Sequence, residues 1–136
     1  MIYHLHVSSV SRGAGRSACA AAAYRTASVI KDDYYGLTHD FSRKEGVRCS
    51  GIIGFPRLEN ETDADMRARL WNSAEAAENR VDAVVAREIR FALPNECGDD
   101  LRMMLAADYT QFLSEKYGVA AEYAVHGPSR LGDPRN

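Results

Sequence analysis

The side chains equipped for chemistry in this 136-residue chain are few and scattered. Tyr24 and Arg25 stand near the end of an alanine-rich run, Gly15 to Ala27. His4 and His6 are one residue apart near the N-terminus, and His126 stands near the C-terminus. Read alone, Tyr24 is a half-buried aromatic that locks a helix to the core. His4 and His6 share a face if they lie on a strand, because side chains alternate there. With His126 they make a rival three-imidazole metal set. Gly13 and Gly15 form a short glycine turn without the third glycine and the lysine of phosphate-cradling loops, which speaks against nucleotide binding. Cys19, Cys49 and Cys97 are odd in number, far apart and form no CxxC. That speaks against a disulfide framework and a thiolate zinc site, and for a reducing, cytoplasmic setting.

The net charge of −2 conceals an asymmetry. Residues 1–57 hold eight basic and four acidic side chains, so this part is +4 and the remainder −6. A chain with one basic side can present it to nucleic acid despite an acidic total. No apolar run reaches the length of a membrane span, and the N-terminus has no signal-peptide pattern.

These residues need elements to hold them. Ile2 to Val10 is rich in β-branched and aromatic residues and predicts a first strand. Ser17 is a fitting N-cap for a helix over 17–28, and the alanines keep that helix thin. Lys31 to Arg48 is polar and turn-rich; Thr38–Lys44 and Val47–Phe55 predict a hairpin around Glu45-Gly46. Acidic residues at 61 and 63 open a second helix that runs to about Arg80, with Met66, Leu70, Ala74 and Ala77 on one apolar stripe. Glu75 and Glu78, four and seven residues after Trp71, are explained by a solvated face and are left out of the site, although they also match positions of the family named below. Val84 to Pro94 predicts a strand with Ala86, Glu88, Arg90 and Ala92 on one face and the more hydrophobic set on the other. A third helix spans about Asp99 to Tyr117 and stops at Gly118, and a last strand follows over Val119–His126. The order β-α-(ββ)-α-β-α-β predicts a single α+β domain, a mostly antiparallel sheet with packed helices.

Seven pieces, in order, carry a resemblance: Ser-Arg-Gly-Ala-Gly-Arg-Ser-Ala (11–18), Ala-Ala-Ala-Tyr-Arg (21–25), His-Asp-Phe-Ser-Arg-Lys (39–44), Trp-Asn-Ser-Ala-Glu (71–75), Ala-Arg-Glu-Ile (86–89), Ala-Leu-Pro (92–94) and Val-His-Gly-Pro (125–128). Together they resemble the MobA/MobL, or MobQ-class, plasmid relaxases along nearly the whole chain. The resemblance implies a relaxase of the HUH-endonuclease type. Such an enzyme nicks one DNA strand at an origin of transfer for conjugative mobilisation, through a 5′-phosphotyrosine. By position Tyr24 is the implied nucleophile. A free phenol titrates near pH 10, so it attacks a phosphate at neutral pH only with help from a charge-neutralising group. The implied helper is a divalent metal, Mg or Mn, held by three histidines, of which His126 matches one. The other two form a His-x-His pair that the family pattern places beyond Asn136, so the metal site and one strand of the sheet are expected to be incomplete in these residues. Glu88 matches the acidic residue expected to support a metal-bound imidazole. Arg12, Arg16, Arg25, Arg43 and Lys44 are candidate phosphate contacts for DNA binding. Implied partners are single-stranded DNA at the origin, accessory mobilisation proteins and a type IV secretion coupling protein, with no membrane. Two other readings compete: a non-catalytic DNA-binding fragment or relic, and a rolling-circle replication initiator.

Overall fold

The computed structural model describes residues 5–94 and 96–127. The elements are β1 (Leu5–Ser11), a short 3-10 turn (Arg12–Ala14), α1 (Ala18–Thr26), β2 (Val29–Asp32), β3 (Leu37–Asp40), β4 (Val47–Ile53), α2 (Asp63–Ala76), β5 (Val84–Phe91), α3 (Asp99–Tyr117) and β6 (Ala121–His126). The class is α+β, as expected. The strands form three two-stranded pairs, β1 with β5, β2 with β3 and β4 with β6. The last two pairs are antiparallel.

The chain divides into two compact units. One comprises residues 6–44 and 57–90, the other chiefly residues 45–56 and 91–127. In the first unit, α1 is built almost entirely of alanine. Ala18, Cys19, Ala22 and Ala23 are buried, and no side chain larger than cysteine separates that face from its neighbours. Two apolar clusters result. Val10, Ala18, Ala83 and Val85 make one, and Cys19, Ala22, Ala23 and Ile30 the other; Trp71 of α2 packs against both. Thr62 and Asp65 begin α2 with a reciprocal capping box, which satisfies two N–H groups that the helix itself cannot. Met66 and Leu70 of the expected stripe are buried.

The predicted hairpin between 38–44 and 47–55 is not formed. Residues 37–40 instead pair with 29–32, in register Val29↔Asp40 to Asp32↔Leu37. The turn between them closes with a Gly36 N–H to Asp32 carbonyl bond of 2.9 Å, and Gly36 takes φ 68°, which a side chain would oppose. Residues 47–53 pair far along the chain with β6, from Val47↔His126 to Ile53↔Ala121. In this second unit α3 packs against β4 and β6. Gly118 ends α3 at φ 61° as its left-handed cap.

Candidate active site

The site grows from the two ends of α1. At its start, the Ser17 hydroxyl accepts from the Ala20 N–H at 3.1 Å and donates to Asp32 Oδ2 at 2.6 Å. The Ala18 N–H donates to Glu75 Oε1 at 2.7 Å. Both carboxylates lie at the positive end of the helix, where negative charge is favoured. Glu75 is 1% exposed and receives Arg12 Nε at 3.0 Å and Nη2 at 2.8 Å. Arg12 also donates to the carbonyls of Glu75, Glu78 and Arg80. This corrects two expectations. Glu75 belongs to the interior, not to a solvated face. Arg12 is turned inward with its donors directed at protein, so it is not available to DNA phosphates. Asp32 is 0% exposed and also binds His39 Nε2 at 2.9 Å and the Tyr35 N–H at 3.2 Å. Burial pushes its pKa up, but the bonds from Ser17, His39 and the Tyr35 N–H outweigh burial and hold it below the usual carboxylate value. In the sequence Asp32 reads as a polar turn residue, and His39 enters only as the first residue of the piece 39–44.

At the other end, Tyr24 projects half-exposed from the last turns of α1. Phe41 meets its ring edge-on at a centroid distance of 5.4 Å. Lys44 Nζ stands 3.7 Å from the Tyr24 ring centroid and donates to the Tyr24 carbonyl at 2.9 Å. The ammonium thus covers one face of the ring and caps the helix carbonyls at once. The Lys44 pKa is lowered, first by desolvation and then by the charges of Arg25 and Arg90.

Glu88 of β5 sits opposite this end of α1. It accepts from Arg25 Nη2 at 2.5 Å, from Arg16 Nη2 at 3.3 Å and from the Ser8 hydroxyl at 3.4 Å. Its strand face is turned towards α1, since Glu88 and Arg90 line one cleft with Ala20, Ala21 and Tyr24. Tyr24, Arg16, Arg25, Glu88 and Arg90 line one open cleft of about 430 Å³ with His39 and Phe41. Arg43 is exposed, and its charge acts on Asp40.

His126 lies in the other unit, at the end of β6 and paired in register with Val47. His6 is exposed, and His4 lies outside the described residues. Among the described residues no group of three His, Cys, Asp or Glu side chains converges as a metal would require. These residues do not by themselves complete a shell for a divalent ion, and the rival set of His4, His6 and His126 includes a residue outside the described ones.

Comparison with known proteins adds the relationship. The family model described as MobA/MobL family matches residues 16–136. The chain belongs to the MobA/MobL family. It is 46% identical over 132 residues to "Mobilization protein MobL" of Acidithiobacillus ferridurans, covering 97% of this chain and 34% of that protein. It is 35% identical to "Probable mobilization protein MobA" of Bifidobacterium longum, covering 98% of this chain and 23% of the relative. A "Conjugal transfer protein TraA" of Rhizobium radiobacter is 31% identical, with 92% and 12% covered. A solved structure described as "Molecular Basis of Vancomycin Resistance Transfer in Staphylococcus aureus" superposes with TM-score 0.81 at 34% identity. It matches 96% of this chain and 65% of that one. The chain thus spans about a third or less of the length of these curated MobA/MobL-type relatives. No helix among the described residues is long and apolar enough to cross a membrane.

Proposed function

We propose that this domain is the strand-nicking part of a plasmid mobilisation relaxase. The observation that carries the proposal is the arrangement around Tyr24. One half-exposed phenol stands beside Arg16, Arg25 and Lys44, on a helix whose root is fixed by buried carboxylates. A single-stranded DNA phosphate is the substrate class such a surface favours, because several cations act on it at short range. In the proposed step, the Tyr24 oxygen attacks phosphorus and the P–O3′ bond breaks. The phenol loses its proton and the departing 3′ oxygen gains one. The result is a 5′-phosphotyrosine and a free 3′ hydroxyl. The new ester keeps the energy of the old one, so a 3′ hydroxyl can later reverse the exchange.

Glu88 is assigned as a positioning residue. It holds the guanidinium groups of Arg16 and Arg25 in the cleft that Tyr24 lines. Lys44 adds a third cation against the Tyr24 ring, and exposed Arg43 next to it is a further candidate phosphate contact. A Mg or Mn ion belongs to the proposal with His126 as the ligand from this chain. The described residues do not complete its shell, and nothing in the step above depends on it.

Incubating the protein in its natural length with origin single-stranded DNA and Mg²⁺ or Mn²⁺ tests the reading. A covalent protein–DNA adduct is expected, resistant to boiling in detergent. Tyr24→Phe should abolish it. An adduct that persists in Tyr24→Phe removes Tyr24 as nucleophile. DNA binding without any adduct favours the non-catalytic reading.

A further inference from the structure

The β2–β3 hairpin carries a pattern that the nicking step does not use. Tyr35, Leu37, His39 and Phe41 follow one another at every second residue, and all four line the Tyr24 cleft. Leu37 and His39 share a face of β3 by alternation, Tyr35 comes from the turn before it, and Phe41 follows the strand. Three of the four are aromatic or aliphatic, yet Tyr35 is 40% and Leu37 53% exposed.

Exposed apolar side chains on a turn are ordinarily mobile. These are held. Tyr35 meets Tyr34 edge-on at 4.8 Å, and the Tyr34 ring lies 3.8 Å from the guanidinium carbon of Arg12. Arg12 is in turn locked to buried Glu75. The Tyr35 N–H binds buried Asp32, which also fixes the His39 ring through Nε2. With Nε2 engaged, Nδ1 is the remaining polar atom of that imidazole. The wall is therefore open and largely apolar, braced at Tyr35 and His39, with one oriented polar group. Arg16, Arg25 and Arg90 face the same cleft against the single carboxylate of Glu88. A volume of about 430 Å³ suits a small planar group.

We propose that Tyr35, Leu37, His39 and Phe41 form a nucleobase-binding wall that takes one unpaired base beside the phosphate reached by Tyr24. The aromatic and aliphatic side chains stack against the base, and His39 reads its edge. The guanidinium groups supply the charge for the attached phosphodiester. The inference rests on the reading of the domain as a DNA nickase, but it makes a separate claim: part of the affinity comes from bases and not from charge.

Two probes of equal charge separate these parts: a twelve-residue oligothymidylate and a twelve-residue abasic oligonucleotide. Binding is measured by fluorescence anisotropy at fixed salt, with the natural-length protein carrying Tyr24→Phe to prevent turnover. The base-bearing strand should bind about tenfold more tightly, the effect of one stacked base. Tyr35→Ala with Leu37→Ala should erase that preference and leave the abasic strand's affinity within about twofold. Tyr35→Trp, which keeps a stacking surface, should retain the preference. His39→Gln, which still offers Asp32 a donor, should flatten the ranking among dA, dC and dT strands. Equal binding of both probes by the starting protein overturns the proposal, as does an equal loss for both in the double variant. An unchanged ranking in His39→Gln overturns the edge-reading role. The adduct assay stands apart: an adduct without base preference removes the wall alone, and base preference without an adduct supports the wall while removing the nicking.

Discussion

Two carboxylates grip the same short helix, and they do it in different ways. Glu75 is enclosed. It joins Arg12 and the first N–H of α1, with both ion-pair side chains 1% exposed. Glu88 is open. Its side chain is 14% exposed, and its partners Arg25 and Arg16 are 25% and 39% exposed. The enclosed centre has no spare donors to give a ligand. The open centre holds its cations with bonds that an incoming phosphate can compete for. A rigid root and an exchangeable tip on a nine-residue helix are what a positioned nucleophile calls for.

The sharpest way to break the comparison is Glu75→Ala. It leaves Arg12 charged in the interior, and loss of one partner from a buried pair costs about 3–5 kcal/mol. Urea unfolding should show that loss; a change below about 1 kcal/mol would make Glu75 and Glu88 equivalent. Glu88→Gln should do the opposite. Stability should move by no more than about 1 kcal/mol, as for partly exposed pairs. Adduct formation should fall about tenfold, because Arg16 and Arg25 lose their common anchor. If stability falls as far as in Glu75→Ala, the tip is not open.

Acid should strike the root too. The folded pKa of Asp32 is held below its unfolded value, so its contribution is present above the normal carboxylate pKa and fades as pH falls through the folded one. Glu61, held down chiefly by the Arg69 hydrogen bond to about 2, behaves likewise. Thermal unfolding temperature should therefore drop steadily from about pH 4.3, the normal glutamate value, to about 2. A flat profile there contradicts both assignments.

A smaller effect is expected where α1 stops. Ala27 caps the helix at φ 51°, a left-handed conformation that costs a side chain about 1–2 kcal/mol. Ala27→Gly should raise stability by up to about 1 kcal/mol, since glycine's freedom in the unfolded chain offsets part of the relief. A loss on substitution would show that the methyl group packs more than it strains.

The regular elements were largely legible. The third helix runs over the expected residues and ends at the expected glycine. Helical periodicity and caps are local signals, and α1 and α2 were recognisable for the same reason. The β2–β3 hairpin was hidden because the residues around its turn, Asp32 to Gly36, read as a polar loop. The pairing of β4 with β6 joins segments some seventy residues apart, and no local pattern announces it. Tyr24, Arg16, Arg25 and Glu88 stood out by residue type and family position, and they line the same cleft. Arg12 looked like its neighbours because burial of a guanidinium depends on a carboxylate 63 residues away. Glu75 was hidden by the same dependence, and Asp32 by its place in a run of polar turn residues.

The chain contains one tryptophan, Trp71, and it touches both apolar clusters beneath α1. That makes the protein its own optical sensor. Indole emission reports on the seating of α1 without any attached dye, and it does so from the face of the helix that faces away from solvent. A shift in that emission when a strand is added would mean that occupation of the tip is felt at the root.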